Sequence, residues 1–396
     1  MAESVGGQVE VGGHVEPGFE PVAEAFAQNF AERGELGAAF AATLDGSPVV
    51  DLWGGAADGD SGSPWRQDTM QVIFSGTKGL TALCVAMLID RGRLALEDPV
   101  SRHWPEFAAQ GKEAVTVAEI VSHRGRLPGV RARVSEQDIL DPRKMADLLA
   151  AQEQESDPRT EVIYHPITYG WLCGELVRRV DGRSIGRFFA EEVAAPLGLE
   201  VWIGLPAEQE QRVATLRYGP GWGKSPAGRA DPFAGDALWA SIWENPLLLG
   251  PPSPAIWNTQ ALHGTEMPGA NGVGTARSLA RLYGALSRGG ELEGVRLLSP
   301  QTLELAHTQL SCGRESFTDE RLCFGIGFML QTEDAPFGPA KVAFGHNGAG
   351  GSCHGAWPTQ RVGFSYAMNE MRDDLEGDDR VNALLGALHA CVAEQP

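Results

Sequence analysis

The sequence predicts an α/β fold of the α+β kind. An antiparallel sheet is assembled from both termini and flanked by helices, with a mainly helical domain inserted between the halves. Three observations predict it. Strand-like runs open the chain at Gly37–Leu44 and Val49–Gly54. Helices and long loops fill it from about Leu94 to Leu298. Strand-like runs then return at Cys323–Leu330, Lys341–Gly345, His354–Trp357 and Val362–Asn369, ahead of a last helix over Arg380–Val392. Strands grouped at the two ends, with helices between, suit a sheet closed by the late strands beside the early ones. The matching division is 1–17 as a mobile N-terminal segment, 18–100 plus 300–396 as the α/β domain, and 101–299 as the inserted helical domain.

Each element has a local cause. Residues 1–17 are rich in Gly and Val and carry no helical period. A helix follows from Phe19 to Arg33, with Phe26, Phe30 and Ala27 on its inner face. Asp45-Gly46-Ser47-Pro48 joins the first two strands as a hairpin turn. Leu80, Leu83, Cys84, Met87 and Leu88 recur as the stripe of a core-facing helix, closed by Arg91-Gly92. Leu172, Cys173, Leu176, Val177 and Val180 align on a helix from Thr168 to Arg179, which Asp181-Gly182 ends. Leu279, Leu282, Tyr283 and Leu286 do the same from Thr275 to Ser287, with a stop at Gly289-Gly290. Between these two helices, residues 217–272 are dense in Gly, Pro and Trp. A loop segment this long inside a compact chain is usually functional. It either walls a substrate pocket or packs its aromatics over the core. No internal repeat is present.

The chain has 396 residues, 43% hydrophobic and 21% charged, which suits a soluble globular enzyme with a large core. Its net charge of −20 repels nucleic acid and anionic membranes. The acidic run Asp373-Asp374-Leu375-Glu376-Gly377-Asp378-Asp379 reads as a solvated turn. Six cysteines show no C-x-x-C spacing, and Cys84 and Cys173 fall on apolar helix faces. They read as small buried hydrophobes in a reducing compartment, and no disulfide is needed to close the core. No basic segment followed by an apolar one opens the chain, and no run approaches the ~18 apolar residues of a membrane span. The expectation is a cytoplasmic, unprocessed protein.

The chemistry is concentrated in Phe74-Ser75-Gly76-Thr77-Lys78-Gly79-Leu80. Residues three apart on a helix share a face, so the Ser75 hydroxyl and the Lys78 amine can meet. Serine is a poor nucleophile without a neighbouring base, and a lysine is one known partner. At the mouth of a helix, unpaired backbone N–H groups favour negative charge, which suits a tetrahedral oxyanion. The alternative is a helix-capping serine beside a solvated lysine.

Two further segments bear on that choice: Tyr164-His165-Pro166-Ile167-Thr168-Tyr169-Gly170-Trp171-Leu172, and Gly345-His346-Asn347-Gly348-Ala349-Gly350-Gly351 between two strand-like runs. A Ser-x-x-Lys, a Tyr opening a helix and a His-x-Gly on a late strand, about 86 and about 182 residues apart, resemble the three active-site motifs of the class C β-lactamase-like serine hydrolases. Within that superfamily the chain looks most like the family VIII carboxylesterases. The resemblance covers roughly residues 18–392 and includes Tyr169–Ser184 and Asn271-Gly272-Val273-Gly274-Thr275-Ala276-Arg277. It implies a β-lactamase/penicillin-binding-protein-like fold and a serine carboxylesterase acting on short-chain carboxylic esters. An acyltransferase of secondary metabolism, an amidase or a weak β-lactamase on the same scaffold are its alternatives. A catalytically silent binding protein is a further one, and intact Ser75, Lys78 and Tyr164 argue against it.

Carried over by position, the resemblance makes Ser75 the nucleophile and Lys78 with Tyr164 a coupled acid–base pair. The N–H groups of Ser75 and Ala349 become the oxyanion hole, and His346, Asn347 and Gly348 line the substrate. A base useful near neutrality needs the Lys or Tyr pKa lowered by roughly 3 units, about 4 kcal/mol, and the sequence leaves open which group that is. Three departures from the lactamase pattern stand out. Pro166 replaces an asparagine that holds the lactam, and His346-Asn347-Gly348 replaces Lys-Thr-Gly. Both favour neutral esters. In Ser122-His123-Arg124-Gly125-Arg126-Leu127-Pro128, Arg126 stands where relatives place glycine, so either the backbone changes there or an arginine points at the cleft.

Other classes find no support. No serine sits in Gly-x-Ser-x-Gly, there is no His-Glu-x-x-His, and no Walker or dinucleotide fingerprint appears. His103, His123, His165 and His354 read as structural. No cofactor and no metal are expected. The expected partner is a small-molecule ester, with no nucleic acid and no membrane, and the oligomeric state is unknown.

Overall fold

A computed structural model describes residues 9–220, 222, 233, 235–250, 254–373 and 378–394. Nine strands form one antiparallel sheet. They are β1 (Val11–Val15), β2 (Gly37–Leu44), β3 (Ser47–Gly55), β4 (Ser311–Arg314), β5 (Arg321–Phe324), β6 (Met329–Leu330), β7 (Phe344–Asn347), β8 (Cys353–Trp357) and β9 (Val362–Met368), in the spatial order β1-β3-β2-β9-β8-β7-β6-β5-β4. The early strands thus meet the late ones at β2–β9, where Leu44 pairs with Val362 and Ala38 with Met368. The turn Asp45-Gly46, with both φ positive, sets the β2–β3 register by pairing Leu44 with Ser47.

Five helices frame the sheet and the site: α1 (Glu20–Glu32), α2 (Thr77–Asp90), α3 (Thr168–Asp181), α4 (Ala276–Ser287) and α5 (Asp379–Ala393). Helices α1 and α5 cover one face. Val22, Phe26, Leu384, Leu385 and Leu388 pack there on Phe40, Leu52, Phe364 and Tyr366. Helix α4 covers the other face through Ala276 and Ala280 against Ala41 and Ala367. The approach is so close that a Cβ on Gly363 would lie 2.1 Å from the Gly284 nitrogen. This explains Ala39 and Ala41 of β2: bulkier side chains there would hold α4 off the sheet. Although α4 comes from the stretch assigned by sequence to the inserted helical region, it packs on the sheet. The second hydrophobic cluster centres on α2, every residue of which from Thr77 to Leu88 is buried. A buried, core-facing helix was expected, and from Thr77 to Leu88 the helix is enclosed on all sides as the core axis.

Several local expectations need correction. Val11–Val15 is not mobile, because it pairs with β3 as an edge strand; residues 1–8 lie outside the described residues. Ala27 is exposed, and Asn29 takes the inward position beside Val22, Ala25 and Phe26. Cys323–Leu330 is two strands, broken where Gly327 takes φ 73 to let the Tyr169 hydroxyl pass. Strand β4 gave no clear period. Its Cys312 faces Cys323 across the β4–β5 ladder, and the two are joined as a disulfide, while Cys84, Cys173, Cys353 and Cys391 are free and buried. The 217–272 stretch is not one loop. It carries short helices at Ala237–Trp243, Ala255–Asn258 and Gln260–Gly264, with Trp239 and Trp257 buried. Parts of that stretch lie outside the described residues, as does 374–377 of the acidic run, whose Asp378 is buried rather than solvated. Among the described residues no helix is long and apolar enough to cross a membrane.

The buried titrating groups make the fold sensitive to acid. Burial lowers the pKa of His346 and His354 to about 3 and of His165 to about 4, and it pushes His123 well below 6.5. Unfolded imidazoles bind protons below about 6.5 while the folded ones do not, so stability is present above that pH and lost as pH falls. Glu35 acts in the opposite sense. Burial raises it from 4.5 to about 7 against the charge of Arg380, with Tyr366, Asp378 and Arg372 also facing it, so its contribution is lost as pH rises between those values. Four groups outweigh one. The urea midpoint is therefore expected to fall steadily from pH 7 to pH 4.5, and a flat profile would contradict neutral burial of these rings.

Candidate active site

The turn before α2 places Ser75. Phe74 adopts φ 45, a conformation non-glycine residues hold only under constraint. The constraint is visible. The Ile73 N–H donates to the Gly272 carbonyl, the Thr77 hydroxyl donates to the Phe74 carbonyl at 2.6 Å, and the Phe74 ring rests on Trp257 at 4.7 Å. Ser75 lies one residue before the helix cap, and Lys78 sits in the first turn above it.

Lys78 is completely buried, and its Nζ has three neighbours. Ser75 Oγ lies at 3.0 Å, the Pro166 carbonyl at 2.6 Å and the Gly269 carbonyl at 2.7 Å. The carbonyls can only accept. A neutral amine satisfies both with its two hydrogens and keeps its lone pair for the serine hydroxyl. Burial pushes the Lys78 pKa well below its usual range, and only Cys173 opposes this, a thiol itself raised to about 12. Pro166, which offers substrate no side-chain amide, contributes its backbone oxygen to the lysine instead.

The second carbonyl is held by Asn271. Its amide donates to the Leu262 and Thr265 carbonyls, and its oxygen accepts from the Met267 N–H. Thr81 donates to the Pro268 carbonyl at 2.7 Å, and the Gly272 N–H donates to Thr77. These contacts lock the 267–272 loop onto α2. Their only sequence signal was the Asn271–Arg277 stretch, and nothing in it pointed to Gly269.

Tyr164 does not open a helix. It lies between the short helix Pro158–Val162 and α3, four residues before Thr168. His165 braces this loop, donating to the Ile163 carbonyl at 3.0 Å and accepting from the Leu127 N–H at 3.1 Å. The Tyr164 ring passes 4.8 Å from Lys78 Nζ and stands beside His123. Burial raises its pKa, and a hydrogen bond with Ser75 only partly offsets this. Lys78 falls and Tyr164 rises, so the favoured state is amine with phenol, not ammonium with phenolate.

His346 and Asn347 point to opposite faces of β7. The His346 Nδ1 lies 2.8 Å from the Asn347 carbonyl, so that nitrogen carries the hydrogen and Nε2 presents a lone pair 3.5 Å from the Tyr164 hydroxyl. The ring is neutral. The Asn347 amide turns away to the Pro336 carbonyl at 3.3 Å, which removes its side chain from the substrate-lining role implied by the sequence motif. Gly348 lies against Ile73: a Cβ there would meet the Ile73 carbonyl at 2.4 Å. Among the described residues neither the Ser75 nor the Ala349 N–H has a hydrogen-bond partner. Arg126 keeps the left-handed backbone, φ 52, and its guanidinium donates to Thr160 and the Asp157 carbonyl rather than entering the cleft.

A crevice of about 20 Å³ beside the phenol is lined by His123, Tyr164, Glu315, Leu322 and Phe324. A separate recess of about 300 Å³ is lined by Trp171, Glu175, Arg178 and Glu266 and touches none of Ser75, Lys78 and Tyr164. Of the three, the crevice borders Tyr164 alone; neither space is lined by Ser75 or Lys78. No group of three His, Cys, Asp or Glu side chains among the described residues is placed to hold a metal.

Comparison with known proteins bears on the fold and family. The beta-lactamase family model matches residues 22–387. The esterase/beta-lactamase LipL of Mycobacterium tuberculosis is 35% identical over 95% of this chain and 87% of its own length. The crystal structure of a family VIII carboxylesterase superposes with a TM-score of 0.87 at 38% identity, covering 96% of this chain and 100% of the other. A penicillin-binding protein homologue from Caulobacter crescentus superposes with a TM-score of 0.85 at 38% identity, again over 96% and 100% of the two chains.

Proposed function

This chain belongs to the beta-lactamase family and is an esterase-type serine hydrolase; from that premise we propose that it hydrolyses short-chain, uncharged carboxylic esters through an acyl-enzyme on Ser75. The observation that carries the reading is the Lys78 amine, fixed by two carbonyls with Ser75 Oγ as its third neighbour. Lys78 takes the Ser75 proton as Oγ bonds to the ester carbon. The Ser75 and Ala349 N–H groups hold the oxyanion, and each such donor is worth on the order of 10²–10³ in rate. Tyr164 gives its proton to the departing alkoxide and recovers one from Lys78. Water then repeats the sequence in reverse, and Ser75 regains its hydrogen as the acid leaves.

The substrate class rests on charge. His346 is neutral, Lys78 is held as an amine, Pro166 has no amide and Arg126 is engaged elsewhere. No free cation among these groups anchors a substrate carboxylate. A hydrogen bond to a charged group contributes about 1.5–3 kcal/mol, so its loss costs a β-lactam roughly 10–100-fold in binding. Assayed with p-nitrophenyl esters from C2 to C12 and nitrocefin in parallel, the protein is expected to favour short esters over nitrocefin by at least about tenfold in kcat/KM. A preference for nitrocefin, or for an amide, would contradict the assignment.

A further inference from the structure

Behind the Gly348–Gly351 loop lies a buried charge cluster that the reaction does not touch. Arg380, fully buried at the start of α5, donates through Nε to both Asp378 carboxylate oxygens at 2.9 and 3.1 Å and through Nη2 to one of them at 2.5 Å. Its Nη1 donates to Glu35 at 2.9 Å and to the Glu370 carbonyl at 3.1 Å. Its Nη2 also reaches the Gly350 carbonyl at 3.4 Å, which the Arg372 N–H shares at 3.0 Å. The Tyr366 hydroxyl on β9 closes the far side of Glu35. Gly351, at φ 119, sits so near that a Cβ would lie 2.2 Å from Asp378 Oδ2. The guanidinium is thus saturated by protein acceptors, and one of them belongs to the residue next to Ala349.

Such a cluster is expensive to bury, and well-packed apolar residues often serve stability as well or better. Its placement suggests another use. The end of α1, the chain after β9 and the start of α5 converge on the back of a loop whose front presents the unpartnered Ala349 N–H. We propose that Arg380, held by Glu35 and Asp378, is a positioning residue that fixes the Ala349 amide in the orientation that receives the oxyanion. The Ala349 N–H shares its peptide with the Gly348 carbonyl, which accepts from the Gly351 N–H at 3.2 Å, so the fork acts through Gly350 and Gly351. Without it the Gly350 carbonyl keeps only the Arg372 N–H, and the Gly351 contact that orients the Gly348–Ala349 peptide loosens. A misplacement of about 1 Å at a reacting group costs up to about 10²-fold. The proposal rests on the Ser75 reading for its catalytic consequence but not for the loop anchoring itself.

The test uses the full chain. In Arg380→Lys, which keeps the charge and loses the fork, kcat for p-nitrophenyl acetate is expected to fall at least about tenfold while KM changes less than about threefold. Affinity for phenylboronic acid, whose adduct on Ser75 places an anionic oxygen at the Ala349 amide, is expected to fall in step with kcat. Amide exchange across residues 345–353 is expected to quicken. Should Arg380→Lys not fold, Glu35→Gln loosens the same fork and is expected to show smaller changes of the same kind. A wild-type protein that turns over no ester defeats the functional reading, and loop exchange still judges the anchoring. An active wild type whose folded variants keep kcat, boronate affinity and loop exchange defeats the positioning role alone.

Discussion

Ser75→Ala is expected to leave a folded protein whose ester turnover drops by on the order of 10⁴ or more, as when a serine nucleophile is removed elsewhere. The Ser75 hydroxyl bears none of the fold: Lys78 retains both carbonyl partners, and the turn is held by Thr77, Gly272 and Trp257. Melting temperature and far-UV circular dichroism should therefore match the wild type. Near-wild-type esterase activity in this variant would remove Ser75 from the mechanism.

Lys78→Ala ranks second, with an expected loss of at least about 10² in kcat, the scale of general acid–base catalysis. Its pH dependence tests the cause. Burial depresses the lysine pKa, so the amine is present above the depressed value and is lost as pH falls through it. The wild-type kcat/KM should rise with pH through an apparent pKa well below that of free lysine, about 10.4. Tyr164→Phe should cost a similar factor. The double variant should be little worse than either single one, since groups that pass one proton between them act as a unit. Additive losses would show independent roles, and a rise in rate only near pH 10 would mean that the lysine stays charged.

The sheet was legible where residues alternate and turns are marked. Gly37–Leu44 was placed to the residue, and the meeting of early and late strands followed from their order in the chain. What was hidden has physical reasons. The burial of α2 was legible in its apolar stripe, but enclosure on every side was not, because an enclosed helix and a half-exposed one show the same spacing. β4 is short and half-buried, without a clean alternation. The Ser-x-x-Lys pair was legible because its spacing is helical and local. The carbonyls that hold the buried Lys78 amine were not, because Pro166 and Gly269 act through backbone atoms brought together by loops 88 and 191 residues away. The direction of Asn347 depended on the register of β7, which runs Phe344–Asn347 rather than Lys341–Gly345. Arg380 was read only as the first residue of a helix.

The most direct measurement is a rapid acid quench of the protein during turnover of a slow p-nitrophenyl ester, followed by proteolysis and mass spectrometry. The acyl mass is predicted on the hydroxyl of the peptide that spans Phe74–Lys78, and it should be missing from Ser75→Ala. An acyl group on any other side chain, or steady turnover with no adduct on that peptide, would contradict attack by this serine.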